Sequence, residues 1–299
     1  MQPLNTKYTE RRADSRVKRR PWLLALAGIP LLGGIFKAPL KHGAYVTARA
    51  AVILETRVKL SQWPSRQNAH FQVYYRPGQK AEAGLVLRAL DQALPFEESN
   101  LDENPGQPLT VVVYASSQTM NRAVGEPPSA DNIGYEYDGV IDLLSPSAWL
   151  GTSVAAFQAF LHQGPAAHEL GHALLDLKAD MNYPHWFNEG VAQYEDYRVT
   201  GYQWITANNA LSGPLYSMAQ LNGNFYTLAN QSLAYREGLS LVEYLQGAKG
   251  HGTFIQFLNQ LAQGTTFSQA LAQDYHFSSP NALFKAWQKT LSNHATLKE

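Results

Sequence analysis

The sequence predicts an α+β fold, in which a small mixed sheet is followed by a mostly helical half. Short alternating or β-branched runs lie between residues 69 and 144, whereas helical patterns dominate from residue 151 onward. Between these halves lies an H-E-x-x-H motif at residues 168–172. We expect one domain over residues 66–295, with the functional site between the sheet and the helices.

The composition of the 299-residue chain is that of a globular protein, with 45% hydrophobic and 16% charged residues. The formal net charge is zero, which argues against nucleic acid as a partner. The chain has no cysteine, so any metal site has to use histidine and carboxylate ligands.

The N-terminal residues have the pattern of an export signal. Residues 1–20 carry many lysines and arginines, and the uncharged apolar run Trp22–Phe36 follows them. We interpret residues 1–20 as a basic cytoplasmic tail and residues 21–37 as a signal-anchor or a signal peptide. This predicts a single-pass protein of the cell membrane with its C-terminal domain outside the cytoplasm, or alternatively a secreted protein. As a helix the run would span about 22 Å, less than the ~30 Å hydrocarbon core, so a signal peptide is possible. A buried core helix is the other alternative.

The segment between the apolar run and the domain is expected to be a linker. It covers residues 38–65, and the apolar spacing within Ala44–Leu60 is compatible with a helix. Trp63-Pro64 interrupts that pattern, so the domain is predicted to begin just after this pair.

Three segments of the N-terminal half predict the strands of the sheet. Ala69–Tyr75 alternates well enough for a strand, and Leu109–Tyr114 is a β-branched run typical of a buried strand. The spacing of leucines in Gln79–Glu98 predicts a helix between them. In Ile133–Leu144, Asp138-Gly139 separates two short runs and predicts a hairpin. Its edge could pair with a peptide, or it could be an ordinary protected hairpin.

His168, Glu169 and His172 carry the main chemical signal of the chain. Residues four apart lie on one face of a helix, so the two imidazoles can bind one metal ion with Glu169 beside them. Such a glutamate can take a proton from a metal-bound water. A catalytic zinc needs a third protein ligand, and Glu189 on the following helix is the candidate. The alternative is a buried helix whose histidines are satisfied by carboxylates.

Two stretches together resemble a known family. HELGH at residues 168–172, followed by WFNEGVA at Trp186–Ala192, resembles the gluzincin metallopeptidases. The likeness is to the peptidase MA-like proteins and to the aminopeptidase N and leukotriene-A4 hydrolase group. It implies a minimal thermolysin-like catalytic domain with one Zn²⁺ per chain, bound by His168, His172 and Glu189. In such folds an antiparallel edge strand borders the cleft and pairs with the peptide substrate.

Tyr235 belongs to a further segment that is similar to this group. The run Tyr235-Arg236-Glu237-Gly238 precedes an apolar helix, as does the P-Y-E-K-G segment of the aminopeptidases, whose tyrosine binds the tetrahedral oxyanion. The resemblance implies that Tyr235 stabilises the oxyanion, and packing in the core is the alternative. Three other tyrosines are candidates if Tyr235 is not used: Tyr202, Tyr216 and Tyr226.

The aminopeptidases of this group bind the free amine of the substrate with a G-A-M-E-N run, which has no counterpart here. Glu136 could substitute, but an endopeptidase or a narrow single-target peptidase is the more natural expectation. The sequence thus predicts a zinc metallopeptidase that hydrolyses a peptide or protein substrate through a metal-activated water. The alternatives are an inactive peptidase-like binding protein of the cell envelope and a zinc hydrolase of a non-peptide bond.

Polar side chains close to the motif are candidates for orienting the ligands, because a ligating histidine usually donates its second ring N–H to an acceptor. The candidates are Asp176, Asn188, Glu195 and Asp196. Each of them could instead be a plain surface group. Glu195 and Asp196 are also the substitutes for Glu189 as the third ligand.

Overall fold

The computed structural model describes residues 37–203 and 205–296, and a five-stranded mixed sheet lies at its centre. The strands are β1 Ser65–Gln67, β2 Phe71–Tyr75, β3 Leu109–Tyr114, β4 Gly134–Tyr137 and β5 Val140–Leu144. Their order in the sheet is β1-β2-β3-β5-β4. The three central strands are parallel, whereas β1 and β4 pair antiparallel at the two edges.

Helices make up most of the remaining described chain, which confirms the predicted small mixed sheet and mostly helical half. They are α1 Lys37–Lys59, α2 Lys80–Leu101, α3 Ser117–Val124, α4 Pro146–Leu150, α5 Val154–Gln163, α6 Ala166–Ala179, α7 His185–Thr200, α8 Met218–Asn222, α9 Gln231–Lys249, α10 His251–Ala262, α11 Phe267–Ala270 and α12 Pro280–Thr296. Short 3-10 turns occupy Ala207–Asn209 and Phe225–Thr227, and a π-helical turn occupies Leu271–Tyr275.

Both faces of the sheet are covered, which explains why β3 is apolar at almost every position. Val111 and Val113 point into the larger core, which they share with α2 and α6. Val112 and Tyr114 point into a smaller core on the opposite face, which we call the outer face. This alternation follows from the two-residue period of a strand.

α1 packs on the outer face of the sheet. Val52 is buried there, and the guanidinium of Arg57 donates to Thr110 Oγ1 and to the carbonyl of Pro108, both at 2.9 Å. Residues 38–65, which were expected to form a linker, are therefore mostly a helix attached to the sheet.

The turn between β4 and β5 confirms the predicted hairpin. Asp138 has a φ of 48° and Gly139 a φ of 85°, the positive pair that a tight two-residue turn needs. Its outer strand, β4, is the edge of the sheet. The hairpin thus places a free strand edge beside the helices that follow.

The helical pattern expected from residue 151 onward begins as a helix three residues later, at Val154. Gly151 has a φ of 86° and ends α4 after Leu150. The hydroxyl of Ser153 then accepts a hydrogen bond from the backbone N–H of Ala156 and starts α5. The glycine and the capping serine, rather than the apolar pattern, set these boundaries.

The predicted single-pass membrane location is corrected by the structure. The apolar run Trp22–Phe36 lies outside the described residues. Within the described part of the chain, no helix is both long and apolar enough to cross a membrane. The expected single-pass location is therefore not supported by the part of the chain that the structure describes.

Glycines allow α6, α7 and α9 to approach one another closely. A Cβ on Gly190 of α7 would lie 2.4 Å from the carbonyl oxygen of Gly238 on α9, and one on Gly238 would lie 2.8 Å from that of Trp186. On the other side of α7, a Cβ on Gly171 of α6 would lie 3.2 Å from the Cα of Ala192. α7 is therefore held between two helices at backbone contact distance.

The turn from α6 to α7 is fixed by side-chain hydrogen bonds. The amide of Asn182 donates to the carbonyls of Leu261 and Thr265, both at 2.8 Å. The buried indole of Trp186 donates to Asn222 Oδ1 at 2.8 Å. The α6–α7 pair is thereby tied to the C-terminal helices.

Three carboxyl side chains lie buried or half-buried between α2 and α7 with no salt bridge among the described residues. Glu97 is fully buried, and neither of its carboxyl oxygens has a hydrogen-bond partner. Glu195 is also buried and accepts one hydrogen bond from Asn100, and Asp196 is half-buried nearby. Burial raises the pKa of Glu97 well above its ordinary value, with repulsion from Glu195 adding to it, and raises the pKa of Glu195 to about 8. The folded chain therefore holds protons that the unfolded chain releases.

We expect Gly238→Ala to destabilise the protein by about 1–3 kcal/mol, because the new methyl group would overlap the backbone of α7. The matched control is Gly247→Ala in the same helix, where a Cβ would have no neighbour within 4 Å. That change should stabilise the protein by up to about 1 kcal/mol, because alanine favours a helix over glycine. Urea unfolding of both variants measures the difference, and equal stabilities would show that α7 and α9 are not in contact here.

We expect Glu97→Gln to raise the melting temperature at pH 8 and to have much less effect at pH 5. The raised pKa means that the folded state binds more protons than the unfolded state, so stability falls as the pH rises above the ordinary carboxyl value of 4.5. The amide removes that cost. Glu98→Gln is the control, because this neighbour accepts a hydrogen bond from Asn104 at the surface. A gain for Glu97→Gln that is independent of pH would contradict the burial of an unpaired carboxyl.

Candidate metal centre

His168 and His172 lie on one face of α6, as the spacing of four predicts. Both side chains are buried, and their Nε2 atoms are 3.1 Å apart. The two rings meet edge to face, at an angle of 89°. Two imidazole nitrogens thus converge on one point at the base of a cavity.

Glu189 reaches the same point from α7. Its Oε2 atom lies 3.4 Å from the Nε2 atom of His168 and 3.5 Å from that of His172. The close packing of α6 and α7 at Gly171 permits this distance. The structure therefore brings together the three residues that the sequence predicts as ligands.

The residues present fit a metal ion. Zinc bonds of about 2.0–2.1 Å in tetrahedral geometry separate neighbouring ligand atoms by roughly 3.3 Å, close to the observed spacing. The Oε2 atom of Glu189 is buried and has no hydrogen-bond partner. Two imidazoles and one carboxylate are also a donor set that catalytic zinc uses. Among the described residues, this is the group of His, Asp and Glu side chains that could hold a metal.

Hydrogen bonds to the atoms that face away from the common point orient two of these side chains. Asn188 Oδ1 lies 2.8 Å from His172 Nδ1 and can accept a hydrogen bond from it, so Nε2 is the nitrogen that faces Glu189. The hydroxyl of Tyr226 donates to Glu189 Oε1 at 2.8 Å, which leaves Oε2 to face the histidines. Asn188 was among the predicted orienting residues. Tyr226 was considered only for the oxyanion, because no spacing connects it with Glu189.

The pKa values of His168, His172 and Glu189 reflect how close these side chains are to one another. Burial opposes the charged form of His172, but the carboxylate of Glu189 outweighs it and raises the pKa of His172 to about 10. Burial also opposes the charge of Glu189, yet His172 holds its pKa well below the ordinary value. Burial lowers the pKa of His168. One positive charge is thus stabilised between the three side chains, and a divalent cation would satisfy them in place of a proton.

Glu169 lies against the edge strand β4. A Cβ on Gly134 would lie 2.6 Å from Glu169 Oε1, so only a glycine fits over the carboxylate. The backbone N–H of Glu136 donates to this carboxylate. Burial raises the pKa of Glu169 to about 8, and the charge of His172 acts against that rise.

A cavity of about 400 Å³ opens above these groups. β4 forms one wall, and α6, α7 and α9 form the others. The five predicted site residues all line it: His168, Glu169, His172, Glu189 and Tyr235. Of the tyrosines named as substitutes, Tyr226 also lines it, whereas Tyr216 accepts a hydrogen bond from the N–H of Asn230.

The structure also shows where the other acidic residues considered from the sequence lie. Asp176 is buried and accepts a hydrogen bond from Tyr183, so it does not orient His172 through the Nδ1 atom. Glu195 and Asp196 belong to the cluster of carboxyl side chains between α2 and α7, so they do not take the place of Glu189 as the third ligand. Glu136 lies at the cavity wall, and its own carboxylate accepts from the N–H of Gly139 at 2.7 Å.

The comparisons with known proteins agree with this geometry. A family model described as Peptidase MA superfamily matches residues 97–293, about two thirds of the chain. The match includes β3, the β4–β5 hairpin and all the helices that line the cavity. A search of curated proteins gives no match.

Proposed function

The chain belongs to the peptidase MA superfamily, and from this premise we propose that it is a zinc-dependent endopeptidase. Membership of the family supports a metallopeptidase. The observation that carries the proposal is the convergence of two imidazole nitrogens and an unpartnered carboxylate oxygen within 3.5 Å of one another. His168, His172 and Glu189 would hold the ion. When bound, zinc supplies a Lewis acid that polarises the scissile carbonyl and favours the ionisation of water.

Glu169 is proposed as the general base and acid. Its carboxylate is held by the N–H of Glu136 at the edge of the cavity. It takes a proton from the attacking water and passes it to the leaving amine. The contact with Gly134 limits its movement, so the base is oriented before a substrate arrives.

β4 is proposed to bind the substrate backbone. It is the edge of the sheet, it is half-buried, and it forms a wall of the cavity. A peptide lying along such an edge adds one more strand, and its backbone groups pair irrespective of its side chains. This mode extends along the strand in both directions, which suits cleavage within a chain.

Two tyrosines receive different roles in this proposal. Tyr235 lines the cavity on α9 and would donate to the oxyanion of the tetrahedral intermediate. Tyr226 donates to Glu189 and is proposed to hold that ligand in its orientation. One acts on the substrate and the other acts on the metal site.

Purified protein should contain about one zinc per chain and should cleave members of an unbiased peptide library. Glu169→Gln should keep the zinc and lose turnover, because only the base is removed. Glu189→Ala should lose most of the zinc, because a ligand is removed. Elemental analysis and mass spectrometry of the digests measure both properties.

Asp91→Asn is the control for these variants, because Asp91 is exposed on α2 and bonds to Asn68. It should retain both zinc and turnover. Full activity of the metal-free protein would refute a zinc enzyme. Bound zinc without any peptide cleavage would favour a hydrolase of another bond or a binding protein.

Tyr235→Phe and Tyr226→Phe should separate in their effects. Tyr235→Phe should lower kcat by about 10²–10³-fold with little change in KM or zinc content, as expected for a lost oxyanion donor. Tyr226→Phe should weaken zinc binding by about 10–100-fold, as typical for a lost partner of a ligand. Competition with a chelator measures the zinc affinity, and steady-state kinetics at saturating zinc measures kcat. A wild-type kcat in Tyr235→Phe would remove Tyr235 from the mechanism.

A further inference from the structure

The outer face of the sheet carries a second cavity, which the proposed peptidase function does not use. Its volume is about 470 Å³, within the range of about 300–1,000 Å³ that small-molecule sites occupy. It lies between α1, α3 and the strands β3 and β5, and we call it the outer cavity. Its lining residues from the two helices are Val52, Thr56, Lys59, Thr119, Arg122, Ala123 and Val124.

The inner wall of the outer cavity is apolar. Val52 comes from α1, Leu60 and Trp63 from the turn after it, and Val140 from β5. Together they form a surface between the helix and the sheet that favours the apolar part of a ligand.

Two polar side chains at the floor of the outer cavity, Tyr114 and Asp142, form a hydrogen bond with each other. Tyr114 donates its hydroxyl hydrogen bond to Asp142 Oδ1 at 2.9 Å, and both side chains are buried. The floor therefore needs no polar group from a ligand. The remaining hydroxyl-bearing residues of the wall, Thr56, Thr119 and Tyr137, are too few to pair the amides of a peptide.

Positive side chains form the rim. The guanidinium of Arg76 stacks on the ring of Trp63, 4.3 Å from its centroid, and Arg122 is exposed on α3. Neither arginine has an ion-pair partner among the residues that the structure describes. Lys59 is the third cation, but it pairs with Glu55 on the same helix. The two arginines thus remain to bind an anion.

The charge of the rim is opposite to that of the catalytic cavity. Glu136, Asp138 and Asp176 line the catalytic cavity, whereas Asp142 is the one carboxylate among the described residues of the outer cavity. The planar guanidinium group also matches a carboxylate in shape and can form two parallel hydrogen bonds with it. The outer cavity is therefore complementary to an apolar molecule with an anionic head.

We propose that the outer cavity binds an amphipathic carboxylate, a fatty acid of medium chain length. Its acyl chain lies between α1 and the sheet against Val52, Leu60 and Trp63. Its carboxylate lies at the rim between Arg76 and Arg122. The binding does not depend on zinc or on the residues of the catalytic cavity.

Titration calorimetry of the full chain with sodium decanoate, below its micelle concentration, tests the proposal. Decanoate should bind with one site per chain, and decyltrimethylammonium, which has the same chain and the opposite charge, should not. Equal binding of the two would indicate non-specific association with apolar surface and would overturn the proposal.

Variants locate the binding. The double change Arg76→Gln and Arg122→Gln should weaken decanoate binding at least about tenfold. Ala123→Leu, which keeps both charges and fills the cavity, should also weaken it. Lys285→Gln on the exposed side of α12 is the control and should bind as the wild type does.

Unchanged affinity in the double arginine variant would overturn the proposal, provided that its circular dichroism is that of the wild type. A peptide with an apolar C-terminal residue serves as the competing ligand. If that peptide binds and decanoate does not, the occupant is a peptide terminus and the fatty-acid assignment is wrong.

Discussion

The contact of α7 with α6 on one side and with α9 on the other is the constraint on which the site depends. Glycine at Gly171, Gly190 and Gly238 lets the three helix backbones approach without an intervening Cβ. Only at this distance can the short side chain of Glu189 reach the Nε2 atoms that α6 presents. Backbone packing therefore sets the geometry of the ligands, and close-packed helices change their separation very little.

Several carboxyl groups are buried in this molecule. Their neighbours differ, and these neighbours determine what each carboxyl group can do. Glu189 is kept ionised by the histidines. Glu169 is desolvated but touches a backbone donor. Glu97 has no hydrogen-bond donor among the described residues, and burial raises its pKa well above the ordinary value. The same side chain is thus suited to be a metal ligand, a general base or a stability cost according to its neighbours.

The sequence predicts structure within short segments far better than it predicts contacts between segments that are far apart in the chain. Helical spacing was enough to place His168 and His172 on one face, and Asp138-Gly139 was enough for the hairpin. The hydrogen bond from Tyr226 to Glu189 could not be predicted from the sequence. It depends on how the segment between α7 and α9 folds back against Glu189. The attachment of α1 to the sheet was missed for a similar reason. It depends on Arg57 meeting Thr110, a contact between segments far apart in the chain.

The three candidate ligand side chains come from one short stretch, residues 168–189, whereas β4, which lies against Glu169, belongs to a sheet whose central strands pair over long sequence distances. Short loops close faster and at lower entropic cost than distant strand pairings form. Under the proposed function, a chain of this design would be able to bind its metal in the α6–α7 pair before the sheet is complete. Metal binding would then precede proteolytic activity, so a partly folded copy would hold the ion without being able to digest its neighbours.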